Sequence, residues 1–192
     1  MSKDYSALAA NAVRRSDREV EDDIWIRDYL THAAFGALAT VHDGQPFINS
    51  NLFVYDADAH AIYTHTARVG RTRANIDAGA GADTEARVCF SVSEMGRLLP
   101  ADEALEFSVE YAGVTVFGRA AVIDGAEAEA ALQRLLDKYA PHLRPGRDYR
   151  AIHPDEMVRT SVFRIAIDSW SGKRKQVEAD FPGAFVYRLP SE

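Results

Sequence analysis

The stretch "FGALATVHDGQPFINSNLFVYD" (35–56) decides the fold. Apolar and polar residues alternate on both sides of Asp43-Gly44, a dipeptide favoured where antiparallel strands reverse direction in a two-residue turn. Strands are therefore predicted over 35–42 and 46–56. Downstream, the turn "DADAH" (56–60) leads into "AIYTH" (61–65). Further strands are predicted at "EARVCFSVSE" (85–94), "SVEYAGVTVFGRAAVID" (108–124) and "TSVFRIAIDSW" (160–170). The segment 108–124 is long enough to bend, at Gly113 or Gly118. Upstream, "SDRE" (16–19) has the form of a capping box. Behind it Trp25, Ile26, Tyr29, Leu30 and Ala33 recur at helical spacing, which predicts a helix over about 20–32. A short helix is predicted near 69–78. A longer one is capped by Asp124 and Glu127, packs a stripe of Ala128, Leu132, Leu135, Leu136 and Tyr139 into the core, and stops at Pro141. About six strands with helices between some of them predict a mainly β chain, a small antiparallel barrel with peripheral helices.

Composition narrows the function. The 192 residues suit one domain, with a polar arm over 1–15, a body over 16–176 and an extension over 177–192. Lys and Arg number 22 against 29 Asp and Glu, a net charge of −7, which argues against broad nucleic-acid binding. Cys89 is the one cysteine, so no intrachain disulfide can form and a reducing cytoplasm is the expected compartment. Cys89 itself, within "RVCFSV", reads as a core residue. No apolar run approaches the roughly 20 residues that a membrane span needs, and no membrane partner is expected.

The chemistry concentrates in "IYTHTARVGRTRANI" (62–76). A strand ends at His65, and Thr66, Arg68, Arg71, Thr72 and Arg73 follow at once. A helix opening near Gly70 offers unpaired amides and the positive end of its dipole, and Arg71 can add a forked pair of hydrogen bonds to a phosphate. Thr66 and Thr72 can complete the shell. The alternative is an exposed helix whose arginines neutralise Asp77 and Asp83. Strict phosphate-loop and dinucleotide fingerprints are absent, so neither a nucleotide hydrolase nor a Rossmann domain is indicated. His65 can ligate haem iron, bond a cofactor ring or move a proton. Without metal-ligand spacing around it, a cofactor contact is preferred over a metal ligand. In the strand 46–56, Asn49 and Asn51 share one face and Ser50 points to the other. This polar trio marks either a bulge or exposed edge, or a strand that lines a polar ligand.

The order of these pieces is familiar. "GALATVHDGQPFINSNLFVYDADAHAIYTHTARVGRTRANI" is followed by "ARVCFSV", "VTVFGRAAVI" and a late "RIAIDSWSGKRK". Over roughly residues 14–176 the chain resembles the FMN-binding split-barrel superfamily of pyridoxamine 5'-phosphate oxidase-like proteins, within it the nitroimidazole-resistance-type flavoproteins. The resemblance rests on the Gly-x-Pro hairpin, the Tyr-x-His-x-Ala strand end and the Trp-Ser-Gly-Lys tail. It implies a six-stranded antiparallel split β-barrel forming a homodimer, with FMN in clefts between the subunits and residues 16–176 as the flavin-binding domain. By the same resemblance, Ile48, Asn49, Ser50, Asn51, Thr64, His65 and Thr66 hold the ring. Arg71, with Thr72, meets the phosphate, and the partner adds Trp170 and Lys173. The implied activity is an oxidoreductase that takes electrons from a nicotinamide donor to a small organic acceptor, with His65 as proton donor or ring-edge contact. Haem-binding or deazaflavin-binding proteins of the same fold, and a non-enzymatic flavin-binding module, are the alternatives.

Overall fold

The computed structural model describes residues 4–81 and 85–188. In chain order the elements are β1 (Glu19–Val20), α1 (Asp23–His32), β2 (Gly36–His42), β3 (Gln45–Asn51), β4 (Phe53–Asp56), β5 (Ala61–Ala67), α2 (Arg71–Gly79), β6 (Ala86–Leu99), β7 (Ser108–Ile123), α3 (Gly125–Tyr139), α4 (Pro154–Met157), β8 (Thr160–Lys175) and β9 (Phe185–Val186). The hairpin forms as the sequence predicts. Asp43 and Gly44 both have positive φ, 49° and 75°, the twist that suits antiparallel strands, and β2 pairs with β3 from His42↔Gln45 to Gly36↔Asn51.

The strand expected over 46–56 is two strands. The chain leaves the sheet at Leu52 because side chains there replace a strand partner. Thr64 Oγ1 donates to Leu52 O (2.8 Å), and Phe53 N–H donates to Tyr139 Oη (3.1 Å). This interruption organises the whole sheet. Its strands follow the order β3-β2-β6-β7-β8-β5-β4, antiparallel throughout, so the path starts and ends on the two halves of one segment. If β3 and β4 count as one interrupted strand, the result is a six-stranded antiparallel barrel split at Leu52. Two short strands add to it at the margins: β1 pairs with β8 and β9 with β6.

Leu38, Phe53, Ile62, Phe90, Val116, Phe163 and Ile165 fill the barrel, and Ile26 and Leu30 of α1 and Ile76 of α2 close it. α3 packs outside, where Ala128 and Ala131 meet Ala61, Tyr63 and Val162. β5 is thus covered on both faces, which explains its run of apolar residues without alternation. At the Phe117/Gly118 register shift β7 passes β8 so closely that a Cβ on Gly118 would lie 2.2 Å from Ala166 O. Of the two glycines expected to bend this strand, Gly118 is the one at the irregularity.

Four local expectations are corrected. α1 begins at Asp23, capped by Asp22, whose Oδ1 accepts from Ile24 N–H (2.9 Å), while Ser16–Arg18 form a separate 3-10 turn. Asp124 occupies the N-cap of α3 but its side chain makes no capping bond. In α3 the buried residues are Ala128, Ala131 and Leu135, and Leu136 turns out to solvent. Cys89 is half-buried on the outer face, because Val88 and Phe90 on either side take the inward positions.

Candidate functional site

β3 ends the strand path and has only β2 beside it, so the N–H and C=O groups along its other edge have no strand partner among the described residues. Along it Ile48 and Ser50 are exposed and Asn49 and Asn51 half-buried, the alternation that a pleated strand imposes. Asn51 Nδ2 donates to His65 O (2.9 Å), which ties the end of β3 to the end of β5 across the split. Thr64 is buried and committed to Leu52 O, and Thr66 Oγ1 donates to Ala67 O (2.9 Å).

The His65 ring is half-buried, and its Nδ1 is enclosed without a hydrogen-bond partner. Burial pushes its pKa below the ordinary imidazole value, so at neutral pH the ring is neutral and one nitrogen is free to accept or donate. Beyond it, Arg68 N–H donates to Arg159 O (2.9 Å) and the chain turns into α2 at Gly70, the N-cap. The first bond of the helix runs from Ala74 N–H to Gly70 O (3.0 Å). The amides of Arg71, Thr72 and Arg73 therefore have no intrahelical acceptor.

α2 divides its residues sharply. Thr72, Asn75 and Ile76 face inward, with Asn75 Nδ2 on Thr40 Oγ1 (2.9 Å). Thr72 is 4% exposed, which directs its side chain toward the barrel. Arg73 is taken up by Asp77 Oδ2 (2.7 Å) and Ser161 Oγ (3.2 Å). Arg71 is exposed and has no carboxylate partner among the described residues. The neutralising reading therefore accounts for Arg73 and leaves Arg71 free; Asp83 lies outside the described residues. An unpaired cation stands at a helix start with three unpaired amides, an arrangement that binds anions.

One chain does not bring all the expected residues together. Val162 lies opposite His65, and Trp170 is eight residues further along β8, a separation of roughly 26 Å at about 3.3 Å per residue. There Trp170 Nε1 donates to Asp23 Oδ1 (2.8 Å), its ring meets His60 edge-on (4.8 Å), and the Arg27 guanidinium lies 5.3 Å from its centroid. Lys173 is exposed nearby, beside Glu19 and Gly113 in register.

The sequence reading missed Tyr139. Its hydroxyl accepts from Phe53 N–H and lies 2.9 Å from both Phe53 O and Ala34 O, so it pins the split of the barrel. Lys138, beside it, donates to Ala33 O (2.8 Å) and lies 4.0 Å from the Phe53 centroid, and burial lowers its pKa to about 8. The helical stripe in the sequence assigned Tyr139 to packing, and no local motif marks a tyrosine that serves a strand distant in sequence. Among the described residues, no group of three or more His, Cys, Asp or Glu stands close enough to hold a metal ion.

An antiparallel barrel split at Leu52 defines a class of fold, and the comparisons agree with it. The family model described as pyridoxamine 5'-phosphate oxidase matches residues 22–174, and the chain belongs to that family. Among solved structures it is similar to the flavocytochrome Anf3 of Azotobacter vinelandii, with 22% identity, a TM-score of 0.72, and coverage of 94% of this chain and 86% of that one. It is also similar to the FAD- and haem-binding protein of Mycobacterium smegmatis (24%, TM-score 0.71, 83% and 74% covered). A third is a candidate 5-nitroimidazole antibiotic resistance protein of Bacteroides thetaiotaomicron (16%, TM-score 0.63, 81% and 86% covered). No curated protein matches the sequence. At these identities the structural likenesses speak for the fold. No helix among the described residues is long and apolar enough to cross a membrane.

Proposed function

We propose that this protein is an FMN-dependent oxidoreductase that passes electrons from a nicotinamide donor to a small organic acceptor, as a homodimer with flavin held between the subunits. The observation that carries the reading is a pair of unsatisfied features at this end of the barrel: the open edge of β3 and the α2 amides beside Arg71. They match two parts of FMN, a ring edge rich in hydrogen-bonding atoms and a phosphate. Flavin supplies the hydride and electron chemistry when bound. The chain's task is to hold and orient it. The main chain of β3 and the Asn49 and Asn51 amides face the heteroatoms, Arg71 and the helix amides take the phosphate, and neutral His65 holds or moves a proton at its ring nitrogen. Asn51, through the carbonyl of His65, keeps the two strands in position. Trp170 and Lys173 serve such a site only from a second copy, which is why the reading includes a dimer.

The test compares FMN with riboflavin, which lacks the phosphate. Arg71→Ala should weaken FMN about tenfold, the contribution of one exposed charge-assisted pair, and leave riboflavin unchanged. Equal losses for both would refute the phosphate assignment. The freshly purified protein should show a flavin spectrum that bleaches anaerobically with NADH or NADPH. A protein that binds no flavin would end the reading.

A second reading is haem in place of flavin or beside it. It is favoured by the neutral imidazole of His65, and by one of the similar structures being an FAD- and haem-binding protein. A Soret band that His65→Ala abolishes would establish it.

A further inference from the structure

A second concave site lies at the opposite end of the barrel, and none of its side chains belongs to the site above. It is a groove of about 450 Å³ between α1 and the far ends of β6, β7 and β8, a volume within the range of about 300–1,000 Å³ typical of small-ligand sites. An irregularity in the sheet borders it. β6 carries a register shift between Met95 and Leu98, where one extra residue forms a bulge before pairing with β7 resumes at Leu98↔Val109. Gly96 lines the groove where a Cβ would lie 2.9 Å from Glu110 Cβ, so only glycine passes there without a shift.

One wall is aromatic. Trp25 and Tyr29 stack at 5.0 Å with 15° between their planes, and Tyr29 Oη is fixed on Ala112 O (3.0 Å). The other wall is cationic. Arg174, opposite Ala112 in register, hydrogen-bonds only the neutral Gln176 and has no carboxylate partner among the described residues, while Lys175 points to the other face of β8 and donates to Ser108 Oγ. Glu110 contributes no free charge, because the Arg97 guanidinium grips both its oxygens (2.8 and 2.9 Å) and holds its pKa down at about 2. That leaves one uncommitted carboxylate, Glu94, beside the aromatic pair. A fixed aromatic surface, a single acid and one free cation match the three parts of a nucleotide. The base stacks on the rings, the ribose hydroxyls donate to the carboxylate, and the phosphates meet the arginine.

We propose that this groove binds an adenosine phosphate, the end shared by nicotinamide dinucleotide donors and by FAD. Arg174 and Lys175 continue β8 directly beyond Trp170 and Lys173, the residues that the proposed dimer turns toward the neighbour's flavin. The groove therefore extends that site. Its use rests on the oxidoreductase reading, but its affinity for ADP does not.

The probe is ADP, titrated into the purified protein and followed by tryptophan fluorescence, since Trp25 is one of only two tryptophans. Saturable quenching is expected. Arg174→Gln, an exposed change remote from the core, should weaken ADP about tenfold and leave adenosine unchanged. Glu94→Gln should weaken ADP and adenosine alike. If FAD binds more tightly than FMN and Arg174→Gln removes the difference, the groove takes the ADP half of the flavin. If FAD and FMN bind alike and Arg174→Gln raises the KM for the nicotinamide donor, it takes the donor. Absence of ADP binding at millimolar concentration would overturn the proposal. So would ADP binding that Arg71→Ala weakens and Arg174→Gln spares. A protein that binds ADP here but no flavin would refute the function proposed above and leave the groove standing.

Discussion

Replacing Tyr139 by Phe removes one oxygen and tests what keeps the barrel split. The hydroxyl accepts from Phe53 N–H at 3.1 Å and shares its proton between Phe53 O and Ala34 O, each at 2.9 Å. Phe53 is fully buried, so water cannot replace the lost partner of its amide, although the exposed Ala34 carbonyl can take up water. Two net hydrogen bonds of about 1 kcal/mol each, plus the desolvation of a stranded N–H, amount to about 3 kcal/mol. For a chain of this length each kcal/mol moves the melting temperature by about 2–4 °C, so Tm should fall by roughly 9 °C. The ring remains beside Lys138, which isolates the hydroxyl. The assay is urea unfolding at fixed protein concentration, with an unchanged m-value as evidence that the fold persists. Because Leu52 and Asn51 lie next to Phe53, the variant should also bind flavin more weakly. A loss under about 1 kcal/mol would refute the pinning role, since it would mean that the Phe53 amide finds another partner.

Gly118→Ala sets a Cβ against the Ala166 carbonyl, backbone against backbone, and should cost about 1–3 kcal/mol of stability; a variant as stable as the parent in the same urea assay would contradict the close approach. Burial lowers the pKa values of both His60 and His65, so the unfolded chain takes up protons near pH ~6.5 that the folded chain refuses. Stability is therefore full above that pH and falls as pH drops below it. The urea midpoint should decline between about pH 7.5 and about pH 5.5, and His65→Gln should flatten the decline; an identical slope in the variant would remove His65 from the effect. Glu110 holds the segment after β8, by accepting from Val177 N–H (2.9 Å) and by orienting Arg97 toward the carbonyls of Glu178 and Ala179. Glu110→Gln should expose residues near 177–186 to limited proteolysis, and an unchanged digestion pattern would show that β9 pairing alone suffices. In the parent, Arg97 holds the Glu110 pKa down to about 2, so this hold persists above the usual carboxylate range and is lost only as pH falls toward that value.

Apart from β1, β9 and α4, the sequence by itself determined the strand segments, the hairpin and the helices. Those depend on neighbours in the chain: alternation through "GALATVH", the positive φ that Asp43-Gly44 tolerates, and the amphipathic spacing of α3. It also located the phosphate candidate, because a strand end, a glycine and an arginine lie within a few residues of one another. Cap identities and burial slipped where adjacent choices were chemically alike, as with Asp22 in place of Ser16 or Ala131 in place of Leu136. What only the tertiary structure decided depends on groups far apart in sequence. Residue 139 pins residue 53, so one predicted strand becomes two and the barrel opens there. Asp77 and Ser161 claim Arg73 and leave Arg71 free. Trp170 stands at the wrong end of its own barrel for the His65 site, a fact invisible until the register of β5 against β8 is known. The groove between α1 and β8 joins residues about 150 positions apart in the chain, and no local pattern encodes such a meeting, because it is set by how the sheet closes.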